Sequence, residues 1–316
     1  MPELPDLTIY LEALQSRVLG ESCERVTIVS PFVVRSVDPA VSAIVGQRVT
    51  GLRRIGKRIV LEFEGDLFLV IHLMVAGRFQ WSEKHPKPNR RLMLALFDFP
   101  RGTLVLTEAG TKKRASLYLV RGAAALEQFA RGGIEVFDVN EAAFAARLRA
   151  ENHTLKRTLT DPRLFSGIGN AYSDEILHRA RLSPLTLTAK ISDADIGRLF
   201  TAVKESLTEW TDRLRSDLGD KWPAKVTAFR DDMAVHGKFG KPCPVCGSPV
   251  QRIRYADNET NYCATCQTGG RLLADRAMSR LLKKDWPRSL EEMEDRVYGG
   301  GTAGRGLGAG EQGGRG

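Results

Sequence analysis

The sequence predicts an α+β protein of several domains: an N-terminal antiparallel β-sandwich preceded by a helix, a helical domain, and a C-terminal β-hairpin module. Three observations predict this class. Short runs with strand alternation, separated by turn residues, fill the first third of the chain. Amphipathic helical patterns follow them, and four cysteines then cluster in a short, turn-rich segment.

Length and charge limit the classes of protein to consider. The chain has 316 residues, 42% of them hydrophobic, which suffices for two or three domains with their own cores. Lys and Arg number 47 against 38 Asp and Glu, so the net charge of +9 attracts polyanions. No apolar run approaches the roughly 20 residues of a membrane span, and no secretory signal precedes the first helix. We therefore expect a cytoplasmic protein with no membrane partner.

The N-terminal domain is predicted over residues 1–125. Apolar residues recur at helical spacing from Leu7 to Val18, and Gly20 follows as a stop, so a helix begins almost at the first residue. Regularly spaced strands then predict an antiparallel sandwich or barrel. The predicted strands are residues 25–29, 47–55, 58–64, 67–73, 92–99 and 103–107.

The rest of the chain divides into four parts. A helical domain is predicted over 126–235, because its apolar residues follow helical spacing. A four-cysteine module is predicted over 236–270, and a helical extension over 271–298. The Gly-rich tail over 299–316 has almost no apolar residues and is predicted to be disordered. The predicted helices of the helical domain are residues 140–151, 154–160, 170–181 and 193–214.

Two Cys-x-x-Cys pairs, Cys243 with Cys246 and Cys263 with Cys266, are separated by 16 residues. This spacing suits a tetrahedral zinc site on a β-hairpin, whereas disulfides are disfavoured in a cytosolic chain. All four ligand positions would be filled by protein, so we predict one structural Zn²⁺. No organic cofactor is predicted.

The N-terminus offers a second chemical feature. Pro2 follows Met1, whose removal would expose a secondary amine, and Glu3 lies beside it. An N-terminal amine titrates near pH ~8, so an unprotonated fraction is present at neutral pH and can attack an electrophilic carbon. Most proteins that begin Met-Pro make no such use of the proline, so these two residues alone do not define a site.

Four motifs in one order change that interpretation. They are Met-Pro-Glu-Leu-Pro-Asp at 1–6, Gly-Lys-Arg at 56–58, the helical segment 167–175 and the four-cysteine hairpin. Together they resemble the formamidopyrimidine-DNA glycosylase and endonuclease VIII family over residues 2–267. The resemblance implies a helix-two-turn-helix in the helical domain and a zinc finger on the hairpin. It also implies a monomeric, nucleoid-associated base-excision-repair enzyme whose partner is double-stranded DNA containing damaged bases or abasic sites.

The resemblance implies roles for individual residues. Pro2 is the nucleophile that attacks the sugar carbon bearing the damaged base and forms a Schiff base. Glu3 is the acid/base that opens the sugar ring and later handles the protons of elimination. Lys57 contacts a phosphate and serves in β-elimination, and Asn170 binds a phosphate at a helix N-terminus. Glu175 lies near the damaged nucleotide, with helix capping or salt bridging as the alternative role.

Chemistry at the anomeric carbon cannot occur inside a stacked duplex, so the family everts the nucleotide and fills the gap with a wedge. Residues 72–77 resemble the loop that supplies one wedge, which makes Met74 or Val75 the candidate. Both also suit the apolar core at the end of a strand. In the hairpin, Arg252 and Arg254 suit phosphate contacts, with a solvated basic hairpin as the alternative.

Two departures from the family pattern concern DNA contacts. The loop that probes the opposite base as Arg-Arg-Phe-Gly corresponds here to residues 110–116. Lys112, Lys113 and Arg114 supply charge in this loop, which contains no aromatic residue. The opposite-base preference therefore does not follow from the family.

The second departure lies five residues before the third cysteine, where the family arginine falls on Asn258. That arginine grips the phosphate of the flipped nucleotide and assists δ-elimination, which an uncharged side chain does not support. Lys238, Arg252 and Arg254 are the candidate substitutes.

Three functions are compatible with these observations. The first is a bifunctional DNA glycosylase and abasic-site (AP) lyase that acts on oxidised or ring-opened bases and cleaves the strand by β- or δ-elimination. The second is a family member that binds damaged DNA with weakened catalysis, or a glycosylase specialised for bulkier adducts. The third is zinc-dependent RNA binding. Covalent trapping, turnover on a lesion panel and RNA affinity distinguish them.

Overall fold

The computed structural model describes residues 1–255, 258–274 and 287–292. It confirms the predicted fold class: an N-terminal helix and antiparallel β-sandwich, a helical domain and a C-terminal hairpin module. The predicted extension over 271–298 lies partly outside the described residues, and the predicted tail over 299–316 lies wholly outside them.

Helix α1, Leu4–Val18, begins at a capping arrangement. The carboxylate of Asp6 accepts a hydrogen bond of 3.0 Å from the backbone N–H of Glu3, and Pro5 occupies a first-turn position where its missing N–H costs nothing. Leu7, like most of the apolar face of the helix, is buried in the sandwich core. Leu4 packs instead in the core of the helical domain, so the start of α1 lies where the two domains meet.

The sandwich consists of two four-stranded antiparallel sheets with strand orders β1-β6-β7-β5 and β2-β3-β4-β8. Their facing side chains, which include Phe79 and Phe97, form one apolar core with Tyr10 of α1. The strands are β1 Arg25–Ile28, β2 Val49–Ile55, β3 Arg58–Phe63, β4 Leu67–His72, β5 Gly77–Ser82, β6 Met93–Phe99, β7 Gly102–Glu108 and β8 Ser116–Arg121.

The sequence-based set of six strands lacked β5 and β8. In β8, Leu117 and Leu119 belong to the sandwich core, whereas Tyr118 packs on a second apolar layer outside the sheet. A strand that is apolar on both faces loses its alternation and cannot be told from a helix by periodicity.

Four helices build the second domain around its own core. Helix α5, the longest in the described part of the chain, has a polar face, and no helix there is apolar enough over a sufficient length to cross a bilayer. The helices are α2 Glu141–Leu148, α3 Leu155–Thr160, α4 Asn170–Arg179 and α5 Asp193–Leu218.

The C-terminal module contains β9 Val250–Tyr255, β10 Asn258–Cys263 and the short helix α6 Ala264–Thr268. Gln267 donates a 2.8 Å hydrogen bond to the carbonyl of Leu182, which joins the module to the chain just after α4. The segment after α5 returns to the first domain, where the ring of Trp222 packs 5.9 Å from that of Tyr10.

Candidate active site and DNA interface

The carboxylate of Glu3 lies at the N-terminus of α4 in a buried position. Its Oε2 accepts hydrogen bonds from the backbone N–H groups of Gly169 at 2.7 Å and Tyr172 at 3.2 Å, and its Oε1 accepts one from Ala171 at 2.9 Å. A helix N-terminus presents free N–H groups and a partial positive charge that both favour an anion. The first domain therefore places its carboxylate in an anion site built by the second.

Lys57 approaches the same point from the turn between β2 and β3. A Cβ added at Gly169 would lie 2.4 Å from Cδ of Glu3 and 2.5 Å from Nζ of Lys57, so both groups crowd this glycine. The pKa of Lys57 is lowered, mainly by burial and further by Lys156 and Arg54, while Glu3 opposes the shift. The site thus pairs a carboxylate with an amine that gives up its proton more readily than an ordinary lysine.

Gly169→Ala is expected to lower any reaction that uses these two groups by about 10²-fold, since displacements of the order of 1 Å in reacting groups have effects of that size. The new methyl group would overlap both Glu3 and Lys57. The matched control is Gly197→Ala in α5. There the added Cβ would lie 3.1 Å from its nearest neighbour, an oxygen of the Glu141 side chain. Abasic-site cleavage by the two variants tests this expectation. Equal rates would contradict the close packing at residue 169.

Pro2 is buried, and it directly precedes Glu3 in the sequence. The pKa of the amino group of Met1 is lowered, chiefly because burial disfavours its charged form. The backbone N–H of Leu4 donates a 3.0 Å hydrogen bond to the carbonyl of Gly167, which fixes the N-terminal segment against the helical domain.

Asn170 begins α4 and donates a 2.9 Å hydrogen bond from Nδ2 to the carbonyl of Glu259 in the hairpin. Behind it, the ammonium of Lys156 donates to the carbonyl of Asn170 and to Asp174, at 2.6 Å each. The other oxygen of Asp174 lies 2.8 Å from Nδ1 of His236. This buried network links α3, α4 and the hairpin module. Sequence reasoning missed it because its members lie far apart in the chain.

A cavity of about 840 Å³ opens beside Asn170, between the helical domain and the hairpin. Lys156, Arg157 and Thr260 line it. Arg157 contributes positive charge that suits a phosphate group, whereas the ammonium of Lys156 is already paired with Asp174.

Glu175 is turned toward the segment after α5 rather than to an open site. Its carboxylate accepts hydrogen bonds of 2.8, 3.0 and 2.9 Å from the backbone N–H groups of Ala234, Val235 and His236. Burial raises its pKa, while these three hydrogen bonds oppose the rise. This geometry favours the alternative role, in which Glu175 holds the connecting segment in place.

The loop between β4 and β5 contains both wedge candidates. Met74 has φ +54°, a left-handed conformation that is uncommon for residues other than glycine. The side chain of Val75 is 57% exposed, although it is apolar. Val75 is therefore the more accessible of the two for insertion between bases.

The three cations of the loop before β8 have different surroundings. Lys112 is exposed. The ammonium of Lys113 donates to the carbonyls of Arg91 and Glu108, and the backbone N–H of Arg114 donates to the carboxylate of Glu108. Glu108 thus organises the loop, and the ammonium of Lys113 is engaged within the protein.

The cations around the hairpin also differ in exposure. The guanidinium of Arg252 lies 4.0 Å from the ring centroid of Phe239, whereas Arg254 is exposed. Lys238 is buried. Asn258 is exposed at the start of β10, where it presents an uncharged amide.

The sulfur atoms of the four cysteines lie within 4.8 Å of one another. The Sγ atoms of Cys246 and Cys263 are 3.4 Å apart and those of Cys243 and Cys266 are 3.9 Å apart. Tetrahedral zinc with Zn–S bonds of about 2.3 Å needs sulfur separations of about 3.8 Å, so the four residues fit one zinc ion. Nε2 of His178 lies 3.3 Å from Sγ of Cys243. From this position the imidazole can orient the Cys243 thiolate toward a bound zinc ion.

A helix-first β-sandwich joined to a helix-two-turn-helix and a four-cysteine finger defines a class of zinc-containing DNA-repair glycosylases. Family models match all three parts. They are the formamidopyrimidine-DNA glycosylase N-terminal domain at residues 1–111, the H2TH domain of the same enzymes at 135–215, and the zinc finger found in FPG and IleRS at 240–269. The chain belongs to the formamidopyrimidine-DNA glycosylase family.

Individual relatives agree with this assignment. The formamidopyrimidine-DNA glycosylase of Thermus thermophilus is 34% identical over 283 residues, covering 85% of this chain and 100% of the relative. An uncharacterized formamidopyrimidine-DNA glycosylase-like protein of Mycobacterium tuberculosis is 42% identical over 151 residues, covering 48% of this chain and 94% of the relative. The Lactococcus lactis enzyme bound to abasic-site DNA shares the fold, with a TM-score of 0.73 and 24% identity over 84% of this chain and 99% of that one.

Proposed function

We propose that the chain is a bifunctional DNA glycosylase and AP lyase that removes oxidised or ring-opened bases from double-stranded DNA. The observation that carries this proposal is the buried Glu3 carboxylate, which α4 holds beside Lys57 and directly after Pro2. An N-terminal amine, a carboxylate and a lysine of lowered pKa are the groups that Schiff-base chemistry at a sugar carbon requires.

The proposed reaction begins once Met1 is removed and Pro2 carries a free secondary amine. Its lone pair attacks the sugar carbon that bears the damaged base, and the bond to the base breaks as the departing base takes up a proton from solvent. The Glu3 carboxylate accepts the proton that the proline nitrogen loses and delivers it to the ring oxygen, so the sugar ring opens and an iminium forms. Lys57 then assists removal of the proton whose loss expels the adjoining phosphate.

The proposed DNA contacts lie around this centre, and their side chains differ in exposure. Asn170 and the cavity lined by Lys156 take a backbone phosphate, and Val75 enters the gap left by the everted nucleotide. Lys112 faces the opposite strand. The remaining proposed contacts come from the same loop and hairpin: Lys113, Arg114, Lys238, Arg252, Arg254 and Asn258.

The proposed substrates have support from relatives. One solved structure holds the Lactococcus lactis enzyme with DNA containing an oxidized pyrimidine, at 25% identity and a TM-score of 0.73. Because Asn258 carries no charge where the family has an arginine, we propose β-elimination as the main mode of strand cleavage here.

A lesion panel tests this function. The protein is incubated with duplexes that contain an oxidised purine, an oxidised pyrimidine, a ring-opened purine or an abasic site. Released bases are identified by mass spectrometry, and strand ends are resolved on a gel. Base release with ends produced by β-elimination is the expected result. Failure to release any base and to cleave the abasic site, from protein that lacks Met1, would contradict the proposal.

The uncharged Asn258 and the aromatic-free loop at 110–116 favour a second candidate, a protein that binds damaged DNA with little turnover. Tight binding to the whole panel without base release would support that candidate. Adding a bulky adduct to the panel separates this case from an enzyme specialised for larger lesions. A competing structured RNA tests the RNA-binding alternative.

A further inference from the structure

Arg58 and His72 lie together on the outer face of the sheet β2-β3-β4-β8, which is turned away from the sandwich core, and the charge of Arg131 acts on both. Arg58 begins β3 and lies directly opposite His72, the last residue of β4. Arg131 follows two residues after Phe129, whose ring covers this face. We call Arg58, His72 and Arg131 the outer basic cluster.

Arg58 is held in a fixed orientation within this cluster. Its Nη1 donates a 3.2 Å hydrogen bond to the carbonyl of Phe129, and its guanidinium carbon lies 5.8 Å from the centroid of the Phe129 ring. Tyr118 supports that ring from β8, with the two centroids 5.0 Å apart. The Nε of Arg58 is buried and has no hydrogen-bond partner. A buried donor without a partner is costly, so this atom indicates a missing acceptor.

The charges of the cluster are also uncompensated. In the part of the chain that the structure describes, neither Arg58 nor Arg131 forms an ion pair with a carboxylate. Burial and Arg131 lower the pKa of Arg58. Burial, together with the positive charges of Arg58, Lys57 and Arg131, lowers the pKa of His72 to about 4. Mutually repelling cations around an unpaired donor are stabilised by an anion, and a planar guanidinium matches the oxygens of phosphate.

The position of the cluster identifies the anion. Lys57, which immediately precedes Arg58, lies with the Glu3 carboxylate beside Gly169. The loop that contains Val75 begins directly after His72. A duplex whose damaged nucleotide reached Glu3 would therefore run its backbone past this face. We infer that Arg58 and Arg131 bind a backbone phosphate of duplex DNA next to the loop between β4 and β5, which contains Val75. This inference rests on the proposed function. The site supplies positive charge in a chain that lacks the arginine at position 258.

Salt dependence of DNA binding tests this phosphate site. The probe is a duplex carrying tetrahydrofuran, an uncleavable abasic-site analogue, and its Kd is measured by fluorescence anisotropy between about 50 and 200 mM salt. The variants are Arg58→Gln and Arg131→Gln. Arg121→Gln is the control, because Arg121 lies at the far end of β8 and bonds the carbonyl of Gly65. Arg131 is exposed, so Arg131→Gln should fold normally. Its salt dependence can therefore be measured even if Arg58→Gln folds poorly.

Each variant in the cluster is expected to lower the slope of log Kd against log salt by about one and to weaken binding equally to damaged and undamaged duplex. The control should keep the parent slope. Parent-like slopes in both cluster variants would overturn the inference. Parallel cleavage of abasic-site DNA by the parent protein tests the proposed function separately. A parent protein that binds the duplex but does not cleave it would refute the proposed function. The slopes of log Kd against log salt would still show whether Arg58 and Arg131 bind a phosphate.

Discussion

Glu3→Gln is expected to lower base release and abasic-site cleavage by about 10²- to 10⁴-fold, the usual contribution of a positioned acid or base. The amide cannot exchange the proton that ring opening and elimination require. It also cannot accept all three backbone hydrogen bonds from α4, because one carboxylate oxygen becomes an NH₂ group that faces an N–H donor. An added loss of about 1–3 kcal/mol in the free energy of unfolding is therefore expected.

The matched control for this variant is Glu12→Gln on the same helix. Glu12 is partly exposed and pairs with Arg215 at the surface, so its loss should leave both activity and stability nearly unchanged. Single-turnover kinetics and thermal unfolding of the two variants distinguish a chemical from a structural role. A fully active Glu3→Gln protein would show that the carboxylate takes no part in the reaction.

Cys263→Ser is expected to remove the bound zinc and, with it, most of the DNA affinity. Structural zinc contributes about 10–16 kcal/mol to the folding of small finger modules, far more than the small cores around β9 and β10 can replace. Loss of the hairpin would also break the hydrogen bond from Asn170 to Glu259, which closes one side of the cavity beside Asn170. Metal analysis and binding to abasic-site DNA measure both effects.

Cys23→Ala is the control for the cysteine variant. Cys23 is buried in the sandwich core, apart from the four clustered sulfurs, so this change should leave one zinc ion per chain. The sandwich of the Cys263→Ser protein should remain folded, since its core shares no residue with the finger. Full zinc content in Cys263→Ser, or unchanged DNA affinity after its loss, would contradict this account of the module.

The fold class and the zinc site could be predicted because their signals are local. Helical spacing, strand alternation and paired cysteines each extend over about 25 neighbouring residues or fewer. The sequence patterns did not predict β5 and β8. Strand β5 is only half buried, and strand β8 is apolar on both faces. Pattern alone does not separate such segments from loops or helices.

The site could be predicted only in part, because its geometry depends on contacts between distant residues. Glu3 and Gly169 are separated by 166 residues, and no local pattern indicates that the backbone of one would bind the carboxylate of the other. Asp174 lies 62 residues from His236, and Arg58 lies 71 residues from Phe129, whose carbonyl it bonds. No local pattern predicts either contact. Resemblance to the family predicts which residues react, whereas only the fold reveals which groups surround them.

Borohydride trapping on abasic-site DNA tests the proposed Schiff base most directly. Protein from which Met1 has been removed is mixed with the duplex and sodium borohydride, and the linked peptide is identified by mass spectrometry. We expect one covalent adduct, attached through the nitrogen of Pro2, and its absence from protein that retains Met1. An adduct on a lysine, or none at all, would contradict the role of Pro2 as nucleophile.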